Sequence, residues 1–211
     1  MDFATLVENR DNNTGGHIKR TTAYVSLLVN ALRARGYHSD LLTKDFINNL
    51  KIASPMHDIG KISTPDAILQ KPGKLTDEEY AIMKQHAAKG SEIIKETFGK
   101  RGDSDFIDMA YDVARFHHEK WNGKGYPCQL KGEEIPLSAR IVAVADVFDA
   151  LSHRRCYKDA WSEGDVLNEL KSQSGLQFDP EVIDAFFEVY PTIKEMLQDH
   201  IKGLKTFLKK V

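Results

Sequence analysis

Histidine set beside carboxylate is the recurring chemical theme of this chain. His57 is followed directly by Asp58, His117 by His118, and Asp146 interrupts an otherwise apolar stretch beginning at Ile141. Five of the eight histidines, His17, His57, His86, His117 and His118, stand beside other ligand-type groups or at the ends of helical patterns. Imidazole with carboxylate is the ligand set of Zn, Mn, Fe or Ni rather than of Ca or Mg, so the chemistry on offer is transition-metal binding. A single His-Asp or His-His pair would occur in many unrelated chains. Asp146 is more telling, because a carboxylate on a helix apolar nearly all round is buried, and an unpaired buried charge is costly. Its partner is either an arginine, Arg140 or Arg155, or a metal cation. Asp149, about one turn further on, could orient a ligand histidine from behind. His38, His153 and His200 have no such company and read as ordinary surface or packing histidines.

The elements that must position these groups are helices. The spacing of Ile18, Tyr24, Val25, Leu27, Leu28 and Leu32 predicts a helix from His17 to Arg35, stopped by Gly36. Thr43 is the N-cap of a second, reaching about His57, with Phe46, Ile47, Leu50 and Ile52 facing inward and Pro55 distorting its last turn. Thr76 with Glu79 three residues later is a capping box that opens the helix bearing Tyr80, Ile82, Met83 and His86. A further helix runs from Asp105 to His118. The crowded breakers Asn122-Gly123, Gly125 and Pro127 then make residues 121–130 a loop. Pro136 starts the helix that carries Asp146, whose apolar residues cover almost its whole circumference and mark it as the buried centre. Ser162 with Asp165, and Asp179-Pro180, open two more helices. Strand signals are weak throughout, and the expectation is an all-α fold in a single domain over residues 1–211.

Composition narrows the function classes. The 211 residues are 41% hydrophobic and 28% charged, which suits a folded globular protein. Lys plus Arg number 29 against 31 Asp plus Glu, giving a net charge of −2, so no broad basic surface is available for polymeric DNA or RNA. Any nucleotide must be recognised in a local pocket. The two cysteines, Cys128 and Cys156, are too few for a disulfide framework and fit a reducing cytoplasm. No run is long and apolar enough for a membrane span, and no signal peptide is readable at the N-terminus.

The blocks around these residues follow one order. His57-Asp58-Ile59-Gly60-Lys61 precedes Lys84-Gln85-His86 with Gly90. Next comes His117-His118-Glu119-Lys120-Trp121-Asn122-Gly123-Lys124-Gly125-Tyr126-Pro127, and then Ala145-Asp146-Val147-Phe148-Asp149-Ala150-Leu151 with Arg155 and Tyr157-Lys158. In this the chain closely resembles the HD-GYP family, a branch of the HD metal-dependent phosphohydrolases. The resemblance runs from about Thr14 to Pro180, taking in Gly132-Glu133-Glu134-Ile135-Pro136, Arg140-Ile141 and Phe178-Asp179-Pro180, with residues 181–211 as a helical extension.

The resemblance implies an HD five-helix core with additional C-terminal helices, and hydrolysis of the second messenger cyclic di-GMP to pGpG, with further cleavage to GMP left open. It implies that His17, His57, Asp58 and Asp146 hold one divalent ion, and that Asp58 bridges to a second held by His86, His117 and His118. Iron is the metal it favours, with manganese or another transition metal as substitutes. Members that hold a third ion carry a Glu four residues before the first ligand histidine. Asn13 stands there in this chain, and a neutral amide is a poorer ligand, so two ions are expected rather than three. The Arg-Pro-Tyr-Lys pattern after the central Asp becomes Arg155-Cys156-Tyr157-Lys158, which keeps the basic groups.

On this reading two ions roughly 3.5 to 4 Å apart activate a hydroxide as nucleophile and withdraw charge from the phosphate, so Asp58 belongs to the catalytic set. Lys61, three residues after Asp58, is either a group that contacts phosphate or protonates the leaving oxygen, or a solvated lysine. Arg155 and Lys158 are either phosphate clamps or rim ion pairs with Glu163 or Asp159. Arg20, one turn after His17, fixes a carboxylate or touches phosphate. Tyr126 offers the substrate an aromatic face and a hydroxyl, and its Gly125-Tyr126-Pro127 loop either shapes the pocket or recruits partner proteins. Trp121 is equally a packing residue or a stacking surface for guanine. Alternative substrates are 3'3'-cGAMP and linear pGpG, and a non-catalytic signalling module is the alternative outside enzymology. Ile201, Leu204, Phe207, Leu208 and Val211, with Lys202, Lys205, Lys209 and Lys210, suggest an amphipathic helix packing on the body or forming a homodimer.

Overall fold

The structure, a computed structural model, describes Val7, Arg10 and residues 16–99, 104–153 and 161–208, with side chains as far as residue 198 apart from that of Ser104. Asn13, Arg155, Cys156, Tyr157 and Lys158 lie outside the described residues, as do the side chains from Ile201 to Val211.

Eight α-helices run through the described residues: α1 His17–Ala34, α2 Lys44–Ala53, α3 Asp66–Leu69, α4 Asp77–Phe98, α5 Ser104–Phe116, α6 Leu137–Ser152, α7 Glu163–Ser172 and α8 Pro180–Leu208. Short 3-10 turns occupy Ser54–Met56, Ile59–Ser63 and Gly132–Glu134. Only isolated bridges, Asn122 with Lys131 and Ser174 with Phe178, stand in for sheet among the described residues.

The caps that the sequence predicts are made. Thr43 accepts the Phe46 N–H at 3.1 Å. Thr76 and Glu79 bond reciprocally, the Glu79 carboxylate accepting the Thr76 N–H at 2.7 Å and the Thr76 hydroxyl the Glu79 N–H at 3.3 Å. Asp179 accepts the Glu181 N–H at 2.9 Å at the head of α8. Three expectations need correction. Helix α2 ends at Ala53 rather than near His57, because Pro55 lacks an N–H and tightens the chain into a 3-10 turn. Ile52, expected to face inward, is 60% exposed, since its neighbours Leu50 and Ala53 take the buried stripe. Helix α5 likewise stops at Phe116, so His117 and His118 sit in the turn that follows it.

Helix α6 is the axis of the core. From Leu137 to Ala145 every residue is buried, and it packs against α1, α5, α7 and α8. Tyr24, Phe148, Phe186 and Tyr190 form an aromatic cluster between α1, α6 and α8, with the Tyr24–Phe148 and Phe148–Phe186 ring centroids 5.1 and 5.0 Å apart. Buried aromatic pairs of this kind contribute both area and edge-to-face attraction, which fixes the rotation of α6 and with it the direction of Asp146. Arg140 bonds Asp179 at the head of α8 and stacks over Trp121, 5.7 Å from its ring centroid. The arginine nearest to Asp146 in sequence is therefore employed in joining two elements.

Candidate metal centre

Five elements converge on one point. Helix α1 brings His17, the turns after α2 bring His57 and Asp58, α4 brings His86, the end of α5 brings His117 and His118, and α6 brings Asp146. The residues fall into two groups, His17–His57–Asp146 and Asp58–His86–His117–His118, and within each group the ligand atoms lie within 4.8 Å of one another. In the first, Asp146 Oδ1 is 3.5 Å from His17 Nε2 and 3.9 Å from His57 Nε2. Asp58 stands between the groups, its Oδ2 3.4 Å from His57 Nε2 and its Oδ1 3.4 Å from His86 Nε2 and 3.9 Å from His117 Nε2. All seven side chains proposed from the sequence as ligands are thus brought together.

The far side of four imidazoles is tied down. His57 Nδ1 lies 2.8 Å from the Ser54 carbonyl, His86 Nδ1 2.7 Å from that of Met83, and His117 Nδ1 2.9 Å from that of Val113. A carbonyl can only accept, so each of these Nδ1 atoms carries a proton and leaves its Nε2 facing the centre. His17 uses a carboxylate instead, its Nδ1 2.8 Å from Asp149 Oδ2. Asp149 also accepts from Arg20, at 2.7 Å from Nε and 2.9 Å from the terminal nitrogen, and lies 3.2 Å from His153 Nδ1. Of the two roles considered for Arg20, it takes that of fixing a carboxylate. His153, expected to be an ordinary packing residue, belongs to this network.

Electrostatics match. Burial pushes His86, His117 and His118 down, His117 to about 3, so all three are neutral and able to ligate. Burial also opposes charge on His57, yet the facing Asp58 and Asp146 carboxylates raise it to about 9, a sign that the first group attracts a cation. Asp58 is held well below the usual carboxylate range, against its own burial, by Lys61 and His57. The Nε2 atoms of His86 and His117 are buried and have no hydrogen-bond partner. These two unpartnered nitrogens, set among further imidazoles and the Asp58 and Asp146 carboxylates, make a donor set that fits divalent transition-metal ions.

Backbone contacts set the spacing. A Cβ on Gly60 would lie 1.9 Å from the His86 carbonyl oxygen and 2.5 Å from the Gly90 nitrogen, so only glycine lets the 59–63 turn rest on α4. Lys61 follows, its ammonium 2.8 Å from Asp58 Oδ2. Arg10 clamps the same turn from outside, donating to the carbonyls of Ile62 at 2.6 Å and Thr64 at 2.9 Å and to Asp66 at 3.0 Å. In the 121–130 loop, Glu119 is buried and accepts the N–H groups of Cys128 at 2.6 Å and of Gln129 and Leu130 at 3.1 Å each. Gly125 crosses so close that a Cβ would sit 2.4 Å from Glu119 Cα. The result places the Tyr126 ring on His118, stacked at 4.8 Å with an interplanar angle of 28°. Sequence reasoning missed Arg10 and Glu119, whose partners are distant in sequence, and His153, whose spacing of four from Asp149 was the signal that could have found it.

Beside the second group lies a cavity of about 460 Å3, lined by His86, His117 and His118 and by Lys61, Tyr80, Met83, Lys120, Tyr126 and Gln177, among others. Its size and mixed lining suit a small organic ligand. Trp121 is not among its lining residues, and its stacking under Arg140 assigns it to packing. No helix among the described residues is long and apolar enough to cross a membrane.

Comparison with known proteins agrees with this architecture. The family model of the HD domain matches residues 4–182. A cyclic di-GMP phosphodiesterase of Vibrio cholerae is 46% identical over 189 residues, covering 90% of this chain and 38% of that protein. A 3'3'-cGAMP-specific phosphodiesterase of the same organism is 40% identical over 187 residues, covering 89% and 33%. A cyclic di-GMP phosphodiesterase of Thermotoga maritima is 40% identical over 191 residues, covering 90% and 48%. The chain therefore spans less than half the length of these curated relatives. The crystal structure of a cyclic GMP-AMP-specific phosphodiesterase from V. cholerae superposes with a TM-score of 0.58 at 18% identity, over 93% of this chain and 48% of that one, which shows the shared fold. With its helical core, its converging histidines and aspartates and this match along most of its length, the chain belongs to the HD domain family, in the HD-GYP branch.

Proposed function

We propose that this chain is a metal-dependent phosphodiesterase that opens cyclic di-GMP to pGpG. The observation that carries the reading is Asp58, set between two histidine groups and facing both, beside a cavity that also holds a lysine and a tyrosine. We assign His17, His57, Asp58 and Asp146 to one ion and Asp58, His86, His117 and His118 to a second, with iron as the native metal and manganese as a substitute. Ions so held would supply Lewis acidity toward a phosphodiester and a water-derived nucleophile at neutral pH.

The chain's own side chains do the remaining work. Water adds to one phosphorus and the bond to the ribose O3′ breaks, leaving a 5′-phosphate on the linear product and a 3′-hydroxyl that needs a proton. Lys61, held at the cavity by Asp58, is placed to neutralise the phosphate and to deliver that proton. Tyr126, stacked on His118, presents its ring to the nucleoside. Arg155 and Lys158, which follow α6, are assigned to the second phosphate. Relatives of similar identity carry names for two substrates, cyclic di-GMP and 3'3'-cGAMP, so both belong in the test.

Protein loaded anaerobically with Fe(II) or Mn(II) is incubated with each cyclic dinucleotide, and linear products are resolved by chromatography. Release of pGpG supports the reading. Intact cyclic di-GMP in the presence of bound metal rejects it, and faster cleavage of 3'3'-cGAMP reassigns the substrate.

A further inference from the structure

We propose that Lys120 and Gln177 form the edge of the cavity that reads the base, and that Lys120 selects guanine over adenine there. The inference rests on the phosphodiesterase reading, which brings a purine next to the histidine groups, and adds to it the residues that tell purines apart.

Both side chains line the same cavity as His86, His117 and His118. They come from loops far apart in sequence that are joined by main-chain bonds: the Trp121 N–H donates to the Gln177 carbonyl at 3.1 Å and the Asn122 N–H to that of Leu176 at 2.9 Å. The Gln177 N–H is in turn bonded to the Gln173 carbonyl at 3.0 Å. Lys120 and Gln177 are therefore held next to each other by backbone, not by chance approach of two flexible chains. Tyr80, Met83 and Tyr126 line the cavity too and give flat or polarisable surface for a ring without regard to its substituents.

The polar pair is what can discriminate. Guanine presents two acceptors, O6 and N7, on one edge, whereas adenine presents the N7 acceptor beside the N6 amino donor. An ammonium only donates, so Lys120 complements guanine and is opposed by the adenine amino group. A carboxamide both donates and accepts, so Gln177 serves either base. With a nucleotide phosphate anchored at the ions, the base that reaches Lys120 is favoured when it is guanine.

The test is calorimetric binding of GMP and of AMP to manganese-loaded protein, which needs no turnover. Wild type is expected to bind GMP tighter than AMP by about tenfold, the scale of one well-placed polar contact to a base edge. Lys120→Met should bring the ratio close to one by weakening GMP, with AMP affinity kept or improved, Lys120→Arg should restore the preference, and Gln177→Ala should weaken both nucleotides alike. Equal binding of GMP and AMP by wild type, no binding of either, or a ratio unmoved by Lys120→Met overturns the assignment. Cyclic di-GMP turnover is measured on the same samples. Selective GMP binding without turnover rejects the phosphodiesterase reading and leaves the base-reading pair standing. Turnover with an unmoved ratio does the reverse.

Discussion

Asp149 receives Nδ1 of His17 at 2.8 Å from within the buried helix α6, three residues beyond Asp146, to which the same imidazole turns its Nε2. One turn of helix thus supplies both a member of the first candidate group and the carboxylate that orients the neighbouring imidazole toward it. Asp149 lies well below the ordinary carboxylate range although its burial works the other way, because His153, His17 and Arg20 all bond to it.

Asp149→Asn should therefore lower affinity for the ion of the first group by about 10- to 100-fold, the usual cost of removing a partner that orients a ligand. Anaerobic metal titration followed by elemental analysis reads this directly. Full metal content at unchanged affinity would mean that His17 needs no support.

Lys61→Met should reduce cyclic di-GMP turnover by about 100-fold, the lower range for loss of a positioned acid. Metal content should be kept or improved, since the lysine is the foremost positive charge on Asp58 and competes there with a cation. A parallel fall in metal and turnover would assign Lys61 to upholding the site rather than to the reaction.

Glu119→Gln keeps the shape of a side chain that accepts three backbone N–H groups, but turns an amide donor toward one or more of them. Leaving a buried donor unpaired costs about 1–3 kcal/mol. The amides of Cys128, Gln129 and Leu130 should then exchange with solvent faster than in wild type, while those of α6 do not change.

Asp112 supplies a pH test away from the site. Its burial, with Asp108 adding to it, raises the carboxyl to about 6. Because the folded value is the higher one, the contribution of this group to stability is kept at pH below about 4 and lost as pH rises through 6. Asp112→Asn should raise the melting temperature at pH 7 relative to wild type, with the difference vanishing near pH 4. An equal difference at both values would trace the gain to something other than the charge.

Six of the candidate ligands, His57, Asp58, His86, His117, His118 and Asp146, were readable in the sequence because each sits in a run with its own spelling, and because an Asp in so apolar a helix demands a partner, whereas His17 came from the family resemblance. Helix starts were equally readable from Thr43, Thr76 and Asp179, whose side chains act on residues two or three positions away. What the sequence withheld depends on distant pairs. Arg10 reaches a turn some fifty positions later, Gly60 is required by the approach of α4, and Lys120 and Gln177 line one cavity because their two loops bond through their main chains. Ile52 misled because an apolar residue on an amphipathic helix can fall just past the edge of its buried stripe.

The seat of Gly60 upon Gly90 has a broader consequence. Main chain meets main chain there, with Ile59 as the neighbouring side chain, so the spacing between the turn that carries Asp58 and the helix that carries His86 is set chiefly by backbone. Exchanges in the walls and loops of the neighbouring cavity can therefore alter what it admits while the spacing of the histidine groups stays as it is.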